Sequence, residues 1–103
     1  MNVFCEQGWM MIEHKVYYTY IVLCSDGTLY IGFTDDLVRR LKVHNSGKGA
    51  KYTRSRLPVR LLYWEKYADK RSAMQREYAL KQWTRAEKML LLQEKQQWVE
   101  GCE

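Results

Sequence analysis

Five side chains in this chain are of types that act on phosphate esters: Tyr20, Tyr30, Arg40, His44 and Glu77. A guanidinium can donate two parallel hydrogen bonds to phosphate oxygens and offset charge that builds up at phosphorus. A phenol, with an ordinary pKa of about 10, is a base at neutral pH only beside a cation that stabilises the phenolate. A carboxylate is a hard oxygen ligand suited to Mg²⁺ or Mn²⁺. Together these types favour chemistry at a phosphodiester, provided that the fold assembles them.

The two tyrosines lie in consecutive strand-like segments, and an Asp26-Gly27 turn between them indicates a hairpin. A two-residue loop at Asp26-Gly27 would put Tyr20 and Tyr30 on opposite faces of the sheet. A three-residue loop, Ser25–Gly27, with its glycine left-handed in a bulge, would put them on one face. Both registers remain open from the sequence, and only the second lets the tyrosines share a site by direct alternation.

The arginine and the histidine fall on one predicted helix, from about Asp36 to His44, with Thr34 or Asp35 as its N-cap. At about 100° per residue, Arg40 lies at the edge of the apolar face and Arg39 points away. His44 comes one turn after Arg40, so both can reach one site. Taken alone, His44 would be interpreted as a helix-end residue that meets the dipole.

Glu77 interrupts the apolar side of a second predicted helix, which Asp69 caps and which runs to about Gln82. Viewed down the helix axis, Glu77 falls between Ala73 and Met74. An ionised carboxylate with apolar neighbours is costly unless it is paired or bound to a metal. Two interpretations therefore stay open: an ion pair with Lys81 four residues later, or a divalent metal ligand.

The remaining elements complete an α+β prediction. A three-stranded antiparallel sheet flanked by about three helices is expected, because the connections are short. The other expected segments are strands over about 15–24, 29–33 and 59–64, a Gly- and Lys-rich loop Asn45–Arg56, and a last helix from the capping box Thr84–Glu87 to about Trp98. The expected domain covers residues 15–98, between an irregular segment 1–14 and a tail 99–103.

Positive charge is concentrated in the middle of the chain. The net charge is +5, and there is no acidic residue from Leu37 to Tyr63. This pattern favours a polyanionic partner, nucleic acid ahead of membrane. Within the predicted loop, cations alternate with small residues, as in a segment that contacts phosphates, and an aromatic ring there could stack on an unpaired base. The candidate nucleic-acid-binding residues are Lys48, Lys51, Tyr52, Arg54 and Arg56.

Several classes of protein are disfavoured. The three cysteines, Cys5, Cys24 and Cys102, have no Cys-x-x-Cys spacing and no histidine cluster, so neither a zinc site nor a disulfide framework is expected. No apolar run of about 18 residues is present, and no signal peptide is recognisable. A cytoplasmic protein with no membrane partner is the expectation.

The order and spacing of these residues resemble the GIY-YIG nucleases, and most closely the small single-domain bacterial members called URI-domain endonucleases. Tyr18-Thr19-Tyr20 and Tyr30-Ile31-Gly32 match the two triplets, Arg40 follows Tyr30 at the family's spacing of ten, and Glu77 falls at the metal-ligand position. The first triplet has Tyr18-Thr19 where the family name has Gly-Ile, so only Tyr20 carries over there. The stretch 86–92 also lacks an asparagine that many relatives have near the start of the last helix.

The resemblance implies a metal-dependent DNA endonuclease that leaves 5′-phosphate and 3′-hydroxyl ends. Tyr20 would activate water, Tyr30 would orient it, Arg40 and His44 would act on the phosphate, and Glu77 would hold Mg²⁺ or Mn²⁺. The DNA could be duplex, branched or single-stranded, with an additional protein partner for specificity. A non-catalytic nucleic-acid-binding module and a protein-interaction domain that uses Trp98 are the alternatives.

Overall fold

The computed structural model describes residues 15–94, and a three-stranded antiparallel sheet forms its centre. Strand β1 is Tyr17–Leu23, β2 is Leu29–Thr34 and β3 is Arg60–Tyr67. The strand order is β2-β1-β3, so the central strand is β1, whose residues Thr19–Val22 are all buried. The predicted α+β class and its sheet are confirmed, and β3 extends three residues beyond the predicted Trp64.

A three-residue turn connects β1 to β2. The backbone N–H of Cys24 donates to the carbonyl of Thr28 at 2.8 Å, and Gly27 has a left-handed φ of +86°. The Asp26 carboxylate accepts the N–H of Thr28 at 3.1 Å, which is the local bond that aspartate contributes to such turns. Glycine takes this backbone conformation without steric cost, so the sequence Ser25–Gly27 specifies the longer loop.

The turn sets the register that brings the two tyrosines together. Tyr30 lies opposite Val22, and Tyr20 lies opposite Gly32, in the β1–β2 ladder. Since residues two apart on a strand point to the same side, Tyr20, Val22 and Tyr30 share a face. The second of the two registers left open by the sequence is therefore the correct one.

Helix α1, Leu37–Val43, starts one residue later than predicted. Its N-cap is Asp36, whose carboxylate accepts the N–H of Arg39 at 3.0 Å. The prediction of Thr34 or Asp35 as the cap was wrong because Thr34 makes the preceding turn instead, where its hydroxyl accepts the N–H of Asp36.

The predicted loop Asn45–Arg56 is largely helical. A π-helical turn, His44–Lys48, continues α1, and a one-turn helix α2, Lys51–Arg54, follows. Gly47, at φ +83°, breaks the π turn from within. The loop prediction was wrong because two glycines and several cations resemble a solvated loop in composition, while the backbone hydrogen bonds of this segment are satisfied in short helical turns.

The π turn is fixed to the beginning of the third strand by a side-chain bridge. The Asn45 amide donates to the carbonyl of Val59 at 3.2 Å and accepts its N–H at 2.7 Å. This pair of bonds satisfies both backbone groups of a buried residue just before β3, and it holds the π turn against the sheet.

Two longer helices follow β3. Helix α3 is Lys70–Lys81 with Asp69 as its N-cap, and α4 is Arg85–Glu94. The predicted capping box at α4 is confirmed, since Glu87 accepts the N–H of Thr84 and the Thr84 hydroxyl accepts the N–H of Glu87. The predicted end of this helix at Trp98 lies outside the described residues, as do the segments 1–14 and 99–103.

The sheet separates two apolar clusters. On one face, against α1, the buried members are Tyr20, Val22, Cys24 and Val59. On the other face, against α3 and α4, the buried members are Ile21, Ile31, Tyr63 and Leu80. This alternation along β1 follows from the two-residue period of a strand. Within residues 15–94, no helix is long and apolar enough to cross a membrane.

Candidate active site

Tyr20 lies at the centre of a hydrogen-bonded cluster inside the first apolar face. The residue is only 1% exposed, and its hydroxyl is 2.9 Å from Nε2 of His44, which is fully buried. The Nε–H of Arg40 points at the same hydroxyl at 3.5 Å, the long end of hydrogen-bond range. The hairpin, α1 and the π turn thus bring together three of the predicted catalytic residues.

The other ring nitrogen of His44 determines the direction of these bonds. Nδ1 is 3.0 Å from the hydroxyl of Thr53, and that hydroxyl donates its single hydrogen to the carbonyl of Ala50 at 3.0 Å. Thr53 can therefore only accept from Nδ1–H. In the neutral imidazole Nε2 is then the acceptor, and the Tyr20 hydroxyl donates to it. Protons are arranged in one direction, from Tyr20 through His44 and Thr53 to a backbone carbonyl.

The pKa shifts agree with this arrangement. Burial, and next the positive charge of Arg40, lower the pKa of His44, so the imidazole is neutral at neutral pH. Burial raises the pKa of Tyr20, and the negative charge of Glu77 acts in the same direction, while Arg40 opposes both. The phenol is thus protonated in the resting protein, and Arg40 is the group that favours its ionised form.

Two glycines allow the backbone to approach this cluster closely. A Cβ at Gly32 would lie 2.5 Å from the Tyr20 hydroxyl oxygen, and one at Gly49 would lie 2.6 Å from Nδ1 of His44. Both contacts are too short for any side chain, so the cluster needs glycine at these positions. Gly32 belongs to the second triplet, but its role as a neighbour of Tyr20 follows only from the strand register.

Thr53 is a further residue that sequence reasoning missed. Thr53 is fully buried on α2, and its hydrogen-bond partner His44 lies nine residues earlier in the chain. The available signal was weak: a threonine can bond the carbonyl three residues earlier, and Ala50 stands at that spacing. Because the segment was predicted to be a loop, this three-residue spacing, which is typical of a helical turn, did not point to Thr53.

Tyr30 joins the cluster through its ring. The Tyr30 and His44 rings meet edge to face, with centroids 5.6 Å apart and an interplanar angle of 69°. On α2, Tyr52 stacks on Tyr30 with centroids 5.9 Å apart and planes 21° apart. These are favourable aromatic geometries. Tyr30 is half-buried and Tyr20 buried, so of the two phenols Tyr30 is the one that borders solvent.

The two adjacent arginines have different environments. Arg40 is half-buried and reaches Tyr20, whereas the Arg39 side chain is 71% exposed and lies 3.8 Å from Asp35. The helical phase predicted this difference, and the structure confirms that Arg40 is the arginine directed toward the sheet.

Glu77 lies on α3 at the edge of the cluster. Its side chain is 19% exposed, and its Oε2 lies 3.0 Å from the ammonium of Lys81. This ion pair is one of the two alternatives that the sequence indicated. Its charge contributes to the raised pKa of Tyr20, so the carboxylate is within electrostatic reach of that hydroxyl.

A hard divalent cation at Glu77 would have this one carboxylate as its protein ligand, since a carboxylate oxygen is the ligand type that such cations prefer. Within residues 15–94, no group of three or more His, Cys, Asp or Glu side chains is placed to hold a metal. The remaining ligands of a cation at Glu77 would then be water and phosphate oxygens, a shell that Mg²⁺ tolerates well. The ammonium of Lys81 occupies this carboxylate at 3.0 Å, so a metal ion would have to displace it.

The candidate nucleic-acid-binding cations differ in how they are held. Lys48 and Lys51 are exposed, and Arg54 is exposed while its Nε–H donates to the carbonyl of Gly49 at 3.3 Å. These three cations lie on the π turn and α2, immediately beside His44 and Thr53. They are available to solvent on the segment that also completes the cluster.

Arg56 and Tyr52 are engaged with their neighbours. Arg56 donates to the Asp26 carboxylate at 3.0 Å and to the carbonyl of Tyr52 at 2.7 Å, and its guanidinium carbon lies 4.0 Å from the centre of the Tyr52 ring. A base that stacks on Tyr52 would have to compete with Arg56 or Tyr30. The role of both residues in nucleic-acid binding stays a prediction.

Comparison with known proteins places this chain in a family. The GIY-YIG catalytic domain matches residues 16–90. A UPF0213 protein of Bacillus pumilus is 55% identical over 83 residues, which cover 81% of this chain and 85% of that protein. One from Lactiplantibacillus plantarum is 58% identical over 80 residues, covering 76% and 79%.

Two solved structures resemble the fold. The solution structure of a UPF0213 protein from Bacillus halodurans is 46% identical, with a TM-score of 0.51, and covers 76% of this chain and 83% of that one. The solution structure of a protein from E. faecalis is 42% identical, with a TM-score of 0.54, and covers 81% and 88%. The family indicated by the tyrosine triplets is confirmed, and the chain belongs to the GIY-YIG catalytic domain family.

Proposed function

We propose that this chain is a metal-dependent DNA endonuclease that hydrolyses phosphodiester bonds and leaves 5′-phosphate and 3′-hydroxyl ends. The observation that carries the proposal is the one-directional hydrogen-bonded series from Arg40 through Tyr20 to a neutral, buried His44. Membership of the GIY-YIG family supports a nuclease. A neutral imidazole that already accepts from a phenol is a proton acceptor poised for use.

Arg40 would bind the scissile phosphate. Its Nε–H is directed at Tyr20, and no residue from 15 to 94 accepts from its terminal nitrogens, so these can donate to phosphate oxygens in a fixed orientation. Negative charge that builds up on the phosphate in the transition state would be stabilised by the guanidinium, because the site is shielded from water on the sheet side.

Tyr20 and His44 would together remove the proton of the attacking water. The water gives its proton to the Tyr20 oxygen while the phenol hydrogen passes to Nε2 of His44, and the resulting imidazolium keeps its Nδ1–H on Thr53. The hydroxide forms the new bond to phosphorus as the bond to the 3′-oxygen breaks, and the departing 3′-oxygen takes a proton from solvent water to give the 3′-hydroxyl. This coupled transfer avoids a free phenolate, whose formation the raised pKa of Tyr20 disfavours.

Access to Tyr20 would be through its half-buried neighbours. Since Tyr20 is 1% exposed while Arg40 and Tyr30 both border solvent, DNA would touch Arg40 and Tyr30 first. Tyr30 would orient the water that enters between them. Glu77 would hold Mg²⁺ or Mn²⁺ once Lys81 has moved aside, and such a cation would supply positive charge that stabilises the leaving 3′-oxygen.

The π turn and α2 would guide the DNA strand to this site. Lys48, Lys51 and Arg54 are exposed cations next to the cluster, and each phosphate contact would add salt dependence to binding. Arg56 and Tyr52 would join only if their mutual contacts rearrange, as described above for the stacking of a base.

The test is cleavage of duplex, branched and single-stranded DNA by the purified protein with Mg²⁺ or Mn²⁺. Glu77→Gln is expected to lower the cleavage rate by at least about 100-fold, because it removes the charged ligand. Glu94→Gln, an exposed carboxylate at the end of α4, is the matched control and should cleave like the wild type. A folded wild type that cleaves none of these substrates with either metal would contradict the proposal.

A non-catalytic nucleic-acid-binding module is the second candidate, and one observation favours it. The Glu77 carboxylate is already neutralised by Lys81 at 3.0 Å, as it would be in a protein that needs no metal. This candidate predicts salt-sensitive binding that is the same with and without Mg²⁺ and the same in Glu77→Gln. A nuclease should show metal-dependent cleavage that this substitution removes.

A further inference from the structure

An open groove of about 280 Å³ lies beside the candidate active site, where the edge strand β2 meets α2, α3 and α4. Its lining residues are Leu29, Tyr30, Ile31, Tyr52, Lys81 and Lys88. A groove of this size is smaller than the cavities that hold drug-sized ligands, and it suits a single small group of a larger molecule. Tyr30 borders both the groove and the His44 cluster, so the two sites are contiguous.

Lys88 is a lining residue whose positive charge is not paired within the described residues 15–94. It is half-buried on α4, and its ammonium makes no ion pair or hydrogen bond with any residue in the described range 15–94. No acidic residue stands three or four positions away on its helix. A lysine can pack its aliphatic stem while its ammonium stays at the surface, so the Lys88 ammonium is available for a charge-assisted hydrogen bond to an anion in the groove.

All polar side-chain groups of the lining are hydrogen-bond donors or can act as donors. Besides Lys88 these are the Lys81 ammonium and the hydroxyls of Tyr30 and Tyr52. The two hydroxyls have no hydrogen-bond partner in the part of the chain that the structure describes. Lys81 is the one shared group, since it also pairs with Glu77 at 3.0 Å. Two ammonium groups and two phenols around a small groove match the acceptor-rich oxygens of a phosphate.

We propose that this groove binds a backbone phosphate of the nucleic-acid strand next to the scissile phosphate, with Lys88 as its principal contact. The proposal rests on the proposed function, because it takes the same strand that Arg40 would hold. Lys88 is then a positioning residue: it fixes the strand relative to Arg40 and Tyr30 and takes no part in bond cleavage.

The test measures binding without any divalent metal, so that it does not depend on cleavage. The probe is a fluorescently labelled single-stranded oligothymidylate of about 12 nucleotides, titrated by anisotropy at several salt concentrations. Lys88→Ala is expected to weaken binding by about tenfold, the effect of one charge-assisted hydrogen bond. The slope of log K against log salt should fall in magnitude by about 0.7, as expected for one lost phosphate contact on a single strand.

Two further variants keep the test specific. Lys88→Arg keeps the charge and should restore both the affinity and the slope. Lys70→Ala removes an exposed lysine on the outer face of α3 and should change affinity less than about twofold, because distant exposed charges are screened. With a cleaved substrate, Lys88→Ala should raise KM and leave kcat unchanged.

Three results would overturn the proposal. Lys88→Ala could bind with wild-type affinity while the wild type cleaves DNA, which would reject the groove and leave the proposed function standing. Lys88→Ala and Lys70→Ala could weaken binding equally, which would mean that only total charge matters. A wild type that neither binds nor cleaves would reject the groove and the proposed function together.

Discussion

At the scale of single residues, the central feature is a phenol that donates its one hydrogen to a neutral imidazole. Ordinary pKa values near 10 for tyrosine and 6.5 for histidine put a Tyr20-to-His44 proton transfer at about 5 kcal/mol, and both shifts in this protein widen the gap. The neutral pair is therefore the resting state. Only positive charge near the phenol, first of all Arg40, lowers the cost of the transfer.

The burial of His44 predicts a pH dependence of stability. Burial and Arg40 lower the pKa of His44 in the folded protein, so the unfolded chain binds a proton there at higher pH. The stability from this group is complete above the unfolded value of about 6.5 and is lost as the pH falls from there toward the lower folded value. Urea denaturation at about pH 7.5 and about pH 5 measures this loss.

The variant that isolates the effect is His44→Gln, which keeps a polar side chain and does not titrate. The wild type should lose more free energy of unfolding between the two pH values than the variant does. All other titrating groups are common to both proteins, so the difference reports on His44. Equal losses in the two proteins would show that His44 is not held neutral by the fold.

The residue scale also shows what sequence could and could not predict. The choice of Arg40 over Arg39 followed from the period of a helix, and it is confirmed. Thr53 could not be found, because its bond to His44 crosses a π turn that composition did not indicate. The two uses of Glu77, as a metal ligand and as the partner of Lys81, need the same boundary position, so the sequence pattern does not separate them.

At the scale of elements, helix α3 is anchored to the sheet by the residue before Glu77. Arg76 donates to both oxygens of Glu65 on β3, at 2.9 and 3.1 Å, and the hydroxyls of Tyr63 and Tyr67 donate to the same carboxylate. Burial alone would raise the pKa of Glu65, but these hydrogen bonds outweigh it and lower the pKa. The anchor fixes the rotation of α3, and with it the direction in which Glu77 points.

Loss of this anchor is expected to destabilise the protein. Arg76→Ala leaves a half-buried carboxylate without its cation and also removes the contact of Arg76 with the Trp83 ring, at 5.2 Å. The expected cost is about 1.5–3 kcal/mol of unfolding free energy, the range for hydrogen bonds to charged groups. Urea denaturation near neutral pH measures it.

The matched control for the anchor is Arg71→Ala, an exposed arginine on the same helix. It should change the unfolding free energy by no more than about 0.5 kcal/mol, as surface substitutions do. If the two alanine variants had the same unfolding free energy, the bidentate contact between Arg76 and Glu65 would not stabilise the packing of α3 on the sheet.

The ends of helices were predictable from sequence where a capping side chain bonds the nearby backbone. They were not predictable in the glycine-containing segment after α1. Asp69 and the Thr84–Glu87 box were found because a capping side chain bonds the backbone two or three residues away. The π turn and α2 were missed because Gly47 and Gly49 have no helical preference of their own. Their conformation depends on partners that lie elsewhere in the fold, such as the Asn45 contact with Val59.

At the scale of the whole molecule, the candidate site is assembled from nearly the full length of the domain. Tyr20 comes from β1, Arg40 from α1, Thr53 from α2 and Glu77 from α3, and the family match over residues 16–90 includes them all. The α+β class and the antiparallel sheet were predictable from hydrophobic periodicity. The meeting of the tyrosines was not, because it depends on the length of a single turn.

The distribution of charge is also a property of the whole molecule. No acidic residue occurs between Leu37 and Tyr63, a stretch that includes α1, the π turn and α2. The exposed cations Lys48, Lys51 and Arg54 lie on the segment that completes the His44 cluster, and Lys81 and Lys88 line the groove beside Tyr30. A polyanion would therefore be attracted to the side of the molecule on which the proposed chemistry takes place.

The most direct test of the account is the rate of DNA cleavage by Arg40→Ala compared with Arg39→Ala, at fixed salt and with Mg²⁺ or Mn²⁺ present. The two arginines are adjacent and have the same charge, but only Arg40 contacts Tyr20. The account predicts a loss of about 10²–10³-fold for Arg40→Ala and a rate close to wild type for Arg39→Ala, with both variants folded. Equal rates for the two variants, or a folded wild type without cleavage activity, would contradict it.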